Sequence, residues 1–254
     1  MPTPIYMKAS EEARSTGPAA LRRWSSKHVM YLCRDSIRIE VHGRENSTLF
    51  WSKRRARTFV SRTQFSRDMR QIVRGAGDVR TVTFPQTVRE MVPGAFKKLE
   101  QLRSAILCEG LRRTPKEAFA WSGIARVRLP ATLRTVGEES FYGCKSLRHV
   151  QLPDRTKKLE GHCFAMTGLE EVSVPRTVRE IGQNAFYVCA DLESVRLHED
   201  SMLQKMGQNC FMRSGIAQFT VPRGVAVLEG SAFIYCTKLK SVRFQEGSAL
   251  RVIE

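Results

Sequence analysis

Residues 169–191 read LEEVSVPRTVREIGQNAFYVCAD, and variants of this unit recur along about two thirds of the 254-residue chain. The copies are 22 to 24 residues long and are followed from Leu239 by the partial unit LKSVRFQEGSALRVIE. They begin at Val79, Leu102, Ile124, Leu147, Leu169, Leu192 and Ile216. One such unit cannot bury its own apolar face, so seven consecutive copies predict coils that stack into a solenoid.

Each unit opens with the pattern L-x-x-V-x-L/V, which places apolar side chains on one face of a short strand. A proline follows in five units and ends the pairing, because it has no backbone N–H to donate. These prolines are Pro85, Pro130, Pro153, Pro175 and Pro222. Stacked coils would join the strands into a parallel sheet with a spacing of about 4.8 Å. A second apolar pair in each unit, such as Val178 with Ile181 or Val225 with Leu228, predicts the opposite wall.

A phenylalanine preceded by a small residue recurs once in every complete unit. The positions are Phe96, Phe119, Phe141, Phe164, Phe186, Phe211 and Phe233. This strict period predicts a core position on a short helical or 3₁₀ turn, rather than an exposed platform for stacking nucleic-acid bases. A finer alternation of W/M/R-S/T-G with Y/I-x-C motifs indicates that two coils form the working unit.

The consensus LxxVxLPxxVxxIGxxAFxxCxx resembles the BspA-type leucine-rich repeat, and residues 169–191 match it best. The resemblance covers about residues 79–254 and implies a leucine-rich-repeat solenoid of stacked coils with a parallel β-sheet face. It also implies a non-enzymatic recognition module, often a surface or secreted adhesin, whose strand sheet is the default binding face. The missing export signal and the isoelectric point near 10 distinguish this chain from that pattern.

Charge divides the chain into two parts. The formal net charge is +17, and residues 1–78 hold 16 basic and 7 acidic side chains while residues 79–254 hold 26 and 18. We therefore expect a flexible tail at 1–20, a basic mixed α/β capping segment at 21–78 and repeats at 79–254. Within the cap, alternation predicts a strand at 36–43, and scattered apolar residues favour a helix over 47–75.

A compact basic run in the cap comprises Lys53, Arg54, Arg55 and Arg57. Such a run is typical of a nuclear-import signal, a phosphate-binding patch or a solvated helix face. It supports one alternative function, a basic component of an RNA–protein assembly.

The third and fifth positions of each repeat strand should point outward, where a partner can reach them. Among them Arg126, Arg128, His149, Gln151, Arg196 and Arg243 are the predicted partner-binding residues. A guanidinium group can hold a carboxylate or phosphate with two hydrogen bonds, which favours an acidic protein partner. The competing interpretation is that these arginines only solvate an open sheet.

Several chemistries find no support in the sequence. The seven cysteines follow the repeat without a C-x-x-C motif, and equivalent positions two coils apart lie beyond disulfide reach, so they read as buried reduced thiols. His198, Glu199 and Asp200 align with a turn in the last coil and are interpreted as a turn, not a metal site. No metal-binding, nucleotide-binding or nucleophile motif is present, and we expect no enzyme and no cofactor.

The preferred hypothesis is a non-catalytic scaffold that binds a protein partner through its strand sheet. No run approaches the roughly 20 apolar residues of a membrane span, and reduced core thiols favour an intracellular location. A surface adhesin would need an export signal that this chain lacks. The final unit stops before its phenylalanine, so we expect its open edge to be covered by a partner or by further sequence.

Overall fold

The computed structural model describes residues 80–84 and 90–253, together with five earlier strands. Those strands are β1 (His28–Cys33), β2 (Ser36–Val41), β3 (Ser47–Ser52), β4 (Gln64–Phe65) and β5 (Gln71–Arg74). The predicted tail at 1–20, the basic run from Lys53 to Arg57 and Pro85 lie outside the described residues.

The capping segment contributes strands where a helix was expected. Strands β1, β2 and β3 pair antiparallel in sequence order, and β4 pairs antiparallel with β5. The helix predicted over 47–75 is therefore wrong at 47–52, 64–65 and 71–74, where short runs such as TLFW and QIV carry the β-branched and aromatic residues that favour strands. Strand β5 also pairs in parallel with the first coil, so hydrogen bonding crosses the boundary expected at residue 78.

The opening strand of each coil forms the first wall of the solenoid, as the repeat predicts. Its strands are β6 (Thr81–Thr83), β8 (Ser104–Ile106), β9 (Arg126–Arg128), β11 (His149–Gln151), β13 (Glu171–Val174), β15 (Ser194–Leu197), β17 (Gln218–Val221) and β19 (Ser241–Phe244). All pairings are parallel, in three hydrogen-bonded groups: β6-β8-β9, β11-β13-β15 and β17-β19. Strands β9, β11, β13 and β17 end before the prolines at 130, 153, 175 and 222.

The second wall consists of two-residue strands built on the second apolar pair of each unit. They are β7 (Glu90–Met91), β10 (Thr135–Val136), β12 (Lys158–Leu159), β14 (Glu180–Ile181), β16 (Lys205–Met206), β18 (Val227–Leu228) and β20 (Val252–Ile253). Six of them form one parallel sheet, in the order β10-β12-β14-β16-β18-β20. Val178, Ile181 and Val225 are fully buried, which confirms that these pairs line the opposite wall.

The phenylalanine segment forms a third wall, made of turns and called here the turn wall. Around Phe119, Ala118 N–H donates to the Pro115 carbonyl and Ala120 N–H to the Glu117 carbonyl, the i→i−3 bonds of a 3₁₀ turn. Residues two before and two after most of these phenylalanines have positive φ, including Trp121 at 59° and Val188 at 54°. Hydrogen bonds also join the turns of neighbouring coils. The backbone N–H of a phenylalanine donates to the carbonyl of the residue before the phenylalanine of the next coil, as from Phe164 to Ala185 at 2.9 Å.

The core is a column of stacked phenylalanine rings enclosed by the three walls. Rings from Phe96 to Phe233 lie 5.3–5.8 Å from their neighbours between centroids, with interplanar angles of 15° or less. Six of these seven side chains are essentially inaccessible to solvent. The recurring phenylalanine is thus confirmed as core. No helix occurs among the described residues, because every coil turns before a helix could propagate.

Replacing a ring in the middle of this column should cost far more than replacing one at its end. Phe164 is fully buried between Phe141 and Phe186, so Phe164→Ala should lower the free energy of unfolding by about 3–5 kcal/mol. Phe233 is only half-buried, so Phe233→Ala should cost clearly less. Urea denaturation followed by circular dichroism measures both; equal losses would contradict the role of the column.

Close packing between coils gives a second prediction at Gly168. A Cβ atom there would lie 2.3 Å from the backbone oxygen of Lys145, whereas at Gly161, in the same coil, the nearest atom would be 3.5 Å away. Gly168→Ala should therefore destabilise the protein by about 1–3 kcal/mol, through the overpacking of one coil against the previous one. Gly161→Ala is the matched control and should stay within about 0.5 kcal/mol of the parent in thermal melts.

Candidate functional site

The outward side chains of the first wall form one continuous polar surface, called here the strand face. Register places them in two columns along the solenoid, with His149 opposite Glu171 and Gln151 opposite Ser173. In the three-residue strands the middle residue points into the core and its neighbours point outward, and in β13 and β17 the second and fourth residues are buried. The burial pattern of β11, exposed–buried–exposed, shows this directly, and all six predicted partner-binding residues are exposed on this face.

Arg126 and Arg128 bracket one strand and have uncharged neighbours on one side. Register pairs Arg126 with Ser104 and Arg128 with Ile106, so no carboxylate of that coil faces either guanidinium. Both arginines are exposed, and neither forms an ion pair within the part of the chain that the structure describes. Two residues apart on a strand, they project from the same side about 6.6 Å apart.

Arg196 differs from them because it has a partner on the strand face. Its Nη2 lies 2.8 Å from Oε2 of Glu171, on the neighbouring strand β13. Both side chains are at least half exposed, so the pair contributes little to stability. Its effect is to cancel the charge that the sequence assigned to binding at this position.

The flank of the strand face is also largely neutral. Arg148 Nη1 lies 2.7 Å from Asp191 Oδ2 and 3.4 Å from Glu170 Oε1, while His149 Nε2 lies 3.9 Å from Glu170 Oε2. Arg243 is exposed on β19, opposite Thr220, in a hydrogen-bonded group separate from those of Arg126 and Arg196. The structure therefore does not gather the predicted arginines into one cluster. Arg126 and Arg128 share one strand, whereas Arg243, which also forms no ion pair among the described residues, lies on β19.

His198, Glu199 and Asp200 lie in an exposed turn, as the repeat alignment indicates. Asp200 N–H donates to Nδ1 of His198 at 3.1 Å, which occupies one ring nitrogen in closing the turn. No group of three metal-ligating side chains occurs among the residues that the structure describes. In that same part of the chain, no helix has the length and apolar character needed to span a bilayer.

The cysteines of the repeats are buried, with their thiols turned into the stack. Cys144, Cys163, Cys189 and Cys210 are fully buried, and Cys236 is nearly so. Burial raises the pKa of the Cys144 thiol to about 12 and that of Cys189 to about 11, and it holds the pKa of Cys163 far above the ordinary range. A thiol that stays protonated is neither a nucleophile nor a metal ligand at neutral pH.

A hydroxyl from one coil pairs with a thiol from the next, and sequence reasoning missed this bond. Thr167 Oγ1 lies 3.3 Å from Cys189 Sγ, and Ser214 Oγ lies 3.4 Å from Cys236 Sγ. Ser122 and Cys144 form the same pair at 3.7 Å. Each of these three thiols also donates to the carbonyl of the phenylalanine in the previous coil, as from Cys189 to Phe164 at 3.1 Å. The alternation of S/T-G with C motifs was the signal, and it marks hydrogen-bonded pairs of coils.

A family model for the BspA type leucine rich repeat region matches the chain in six copies, over residues 74–193 and 157–253. No curated protein matches significantly. Among solved structures, a leucine-rich repeat protein from Bacteroides ovatus aligns with 75% of this chain and 68% of its own, at 17% identity and a TM-score of 0.49. The T. pallidum leucine-rich repeat protein aligns with 60% of this chain and 85% of its own, at 22% identity and a TM-score of 0.46.

Because the thiols of Cys144 and Cys189 are buried, we expect the folded state to lose stability at alkaline pH. The folded state keeps Cys144 and Cys189 protonated up to a pKa of about 12 and 11, whereas an unfolded thiol ionises near 8.5. Their contribution is therefore complete below about pH 8.5 and is lost as the pH rises towards 11, by about 1.4 kcal/mol per pH unit per thiol. Urea denaturation between pH 8 and 10.5 should show a shallower decline in a Cys144→Ala/Cys189→Ala variant; an unchanged slope would contradict this prediction.

Proposed function

The chain belongs to the BspA-type leucine-rich repeat family, and from that premise we propose that it is a non-catalytic scaffold that binds an acidic protein surface at Arg126 and Arg128. A repeat of this family implies a protein-interaction scaffold. The family is generally a non-catalytic repeat fold.

One observation carries it: Arg126 and Arg128 are exposed guanidinium groups on one strand, without a carboxylate in register on β8. On the same face Glu171 compensates Arg196, and on its flank Glu170 and Asp191 compensate Arg148, whereas Arg243 is a single guanidinium on β19 without a second arginine on its strand. A carboxylate of a partner would gain two hydrogen bonds from each free guanidinium without first displacing an internal one.

The surroundings of these arginines suit a protein more than a small ion. Ile106, opposite Arg128, is 38% exposed and presents apolar surface in the same patch. Arginine beside apolar surface is typical of the residues that dominate the energy of protein interfaces. A partner that offers acidic side chains around an apolar contact would therefore match the part of the strand face around Arg126 and Arg128.

The open geometry of the strand face also supports a binding role over a catalytic one. His149, the only histidine among its outward residues, is 69% exposed, and its nearest carboxylate oxygen is 3.9 Å away. General acid–base catalysis works best where burial and neighbours tune the pKa and exclude water. A flat, solvated sheet provides contact area instead.

Charge reversal at Arg126 and Arg128 should strongly weaken partner binding. A partner captured by the full chain from nuclease-treated lysate would be purified and its affinity measured by calorimetry. Arg126→Glu/Arg128→Glu should weaken binding at least about 100-fold, because it replaces attraction with repulsion at two contacts. The control variant Arg155→Glu/Arg176→Glu changes the net charge by the same amount, in the turns that follow the first-wall strands at Pro153 and Pro175. It should bind the partner with the affinity of the parent.

The matched control distinguishes a located site from general charge. Equal weakening in both double variants would mean that the partner responds only to net charge, and unchanged binding in Arg126→Glu/Arg128→Glu would remove the site from the strand face. Circular dichroism should show both variants folded, since all four side chains are exposed.

A further inference from the structure

Four basic side chains form a straight row along the solenoid, away from the strand face. Arg112, Arg134, Lys157 and Arg179 occupy the same place in four consecutive coils, at the start of the second wall, and all are exposed. Backbone bonds align them: Arg134 N–H donates to Arg112 O at 2.7 Å, Lys157 N–H to Arg134 O at 2.7 Å, and Arg179 N–H to Lys157 O at 2.8 Å. Successive members are therefore one strand spacing apart, about 4.8 Å, and we call the row the basic ladder.

Neighbouring cations already hold the carboxylates of this wall. Arg113 Nη2 lies 2.6 Å from Glu160 Oε2, and Lys158 Nζ lies 2.9 Å from Glu180 Oε2. Lys205 Nζ lies 2.5 Å from Glu229 Oε1. No ladder residue forms an ion pair within residues 80–84 and 90–252, whose side chains the structure describes. The ladder is thus an uncompensated line of positive charge beside a line of compensated pairs.

Folding does not require this arrangement. Like charges directly opposite each other on neighbouring strands destabilise a sheet, and the fold accepts uncharged residues in the same column. The next two coils place Gln204 and Ala226 there, and the backbone bonds continue through them, from Gln204 N–H to Arg179 O at 2.9 Å. The charges in the four preceding coils are therefore an added feature of the surface.

We propose that the basic ladder binds the phosphate backbone of a single-stranded nucleic acid. The strand would run along the solenoid axis, with one phosphate or more facing each coil. Three of the four cations are arginines, whose planar fork matches phosphate oxygens. Grooves that bind single strands without sequence preference use such lines of positive charge to follow the backbone.

The charge density and the straight shape of the ladder favour a flexible single strand over other polyanions. An extended acidic peptide presents side chains to one surface only at every second residue, so half of its carboxylates point away from the ladder. A duplex turns away from a straight row because its phosphates follow a helix. The single strand has one charge on every nucleotide and adjusts its path by rotation about the backbone bonds.

The ladder and the strand face lie on different walls, so this inference is independent of the proposed protein interaction. Arg134, Lys157 and Arg179 directly precede strands of the second wall, and Arg112 precedes the single bridge from Arg113 to Thr135, while Arg126 and Arg128 belong to β9 in the first wall. In the first coil, Arg89 has the equivalent place in the repeat and lies outside the described residues.

The test measures the salt dependence of binding of the full chain to a fluorescent oligouridine. Each phosphate contact on a single strand contributes about −0.7 to the slope of log K against log salt, so Arg134→Gln/Lys157→Gln should make the slope shallower by about 1.4. Between 50 and 200 mM salt, the parent should lose about sevenfold more affinity than this variant. Fluorescence anisotropy supplies both values.

Two further variants separate the ladder from other basic surfaces. Arg126→Glu/Arg128→Glu should retain the slope of the parent within error, because it leaves the ladder intact. Lys53→Gln/Arg54→Gln/Arg55→Gln/Arg57→Gln tests the basic run of the capping segment, and adding Arg134→Gln/Lys157→Gln in that background should still make the slope shallower by about 1.4. An effect confined to the capping variant would overturn the proposal.

The nature of the ligand is tested in the same assay by competition. Unlabelled oligouridine should displace the probe at a far lower concentration of phosphate groups than the concentration of carboxylate groups that poly-glutamate needs. Stronger displacement by poly-glutamate would overturn the choice of nucleic acid, and parent-like salt dependence in Arg134→Gln/Lys157→Gln would overturn the ladder itself. Thermal melts confirm folding, since both substituted side chains are exposed.

Discussion

The contact of each phenylalanine ring with the ring of the next coil is the constraint on which the rest of the molecule depends. Rings such as Phe141 and Phe164 stack 5.3 Å apart and nearly parallel, so each coil has one register relative to its neighbour. A shift by one residue would move every inward side chain of a strand to the outward side. Because the register is the same at each step, residues at equivalent repeat positions line up, and surface columns such as the strand face and the basic ladder exist at all.

The turn wall shows how the backbone accommodates that stacking. Non-glycine residues with positive φ stand two places from the ring, among them Trp121 and Val188, although a bulky or β-branched side chain rarely adopts this conformation. Hydrogen bonds between coils hold these residues in place, as from Trp121 N–H to Tyr142 O at 2.7 Å. Local strain is thus tolerated because the surrounding stack leaves the backbone no alternative.

The same periodicity gives the solenoid walls with different chemistry. On the second wall, ion pairs such as Lys158 with Glu180 run between coils and leave an adjacent row of cations unmatched. On the first wall, Arg196 is paired with Glu171 while Arg126 and Arg128 are not. Buried pairs such as Thr167 with Cys189 join coils two by two beneath these surfaces. Surface columns can therefore vary from coil to coil without disturbing the core, because core and surface positions alternate along each strand.

Much of the architecture could be predicted from the residues alone. The period of 22 to 24 residues, the small residue before each phenylalanine and the prolines after the strands specify stacked coils, the two sheets and the buried column. The outward positions of the strand face also follow, since strand side chains alternate with a period of two. The helix expected over 47–75 failed at the described strands because weak apolar periodicity does not reveal which segments pair, as β3 does with the preceding strand β2.

The functional surface is where tertiary structure decided what sequence could not. Arg126, Arg128 and Arg196 look alike in the repeat, yet of these three only Arg196 reaches a carboxylate on the neighbouring strand, the diagonal Glu171, because ion pairing depends on which residues the neighbouring coil places within reach. The left-handed turn residues and the basic ladder depend on the same stacking. A repeat therefore determines its coil by itself, through local pattern and burial, whereas charge compensation is a property of two coils together and becomes visible only when they stack.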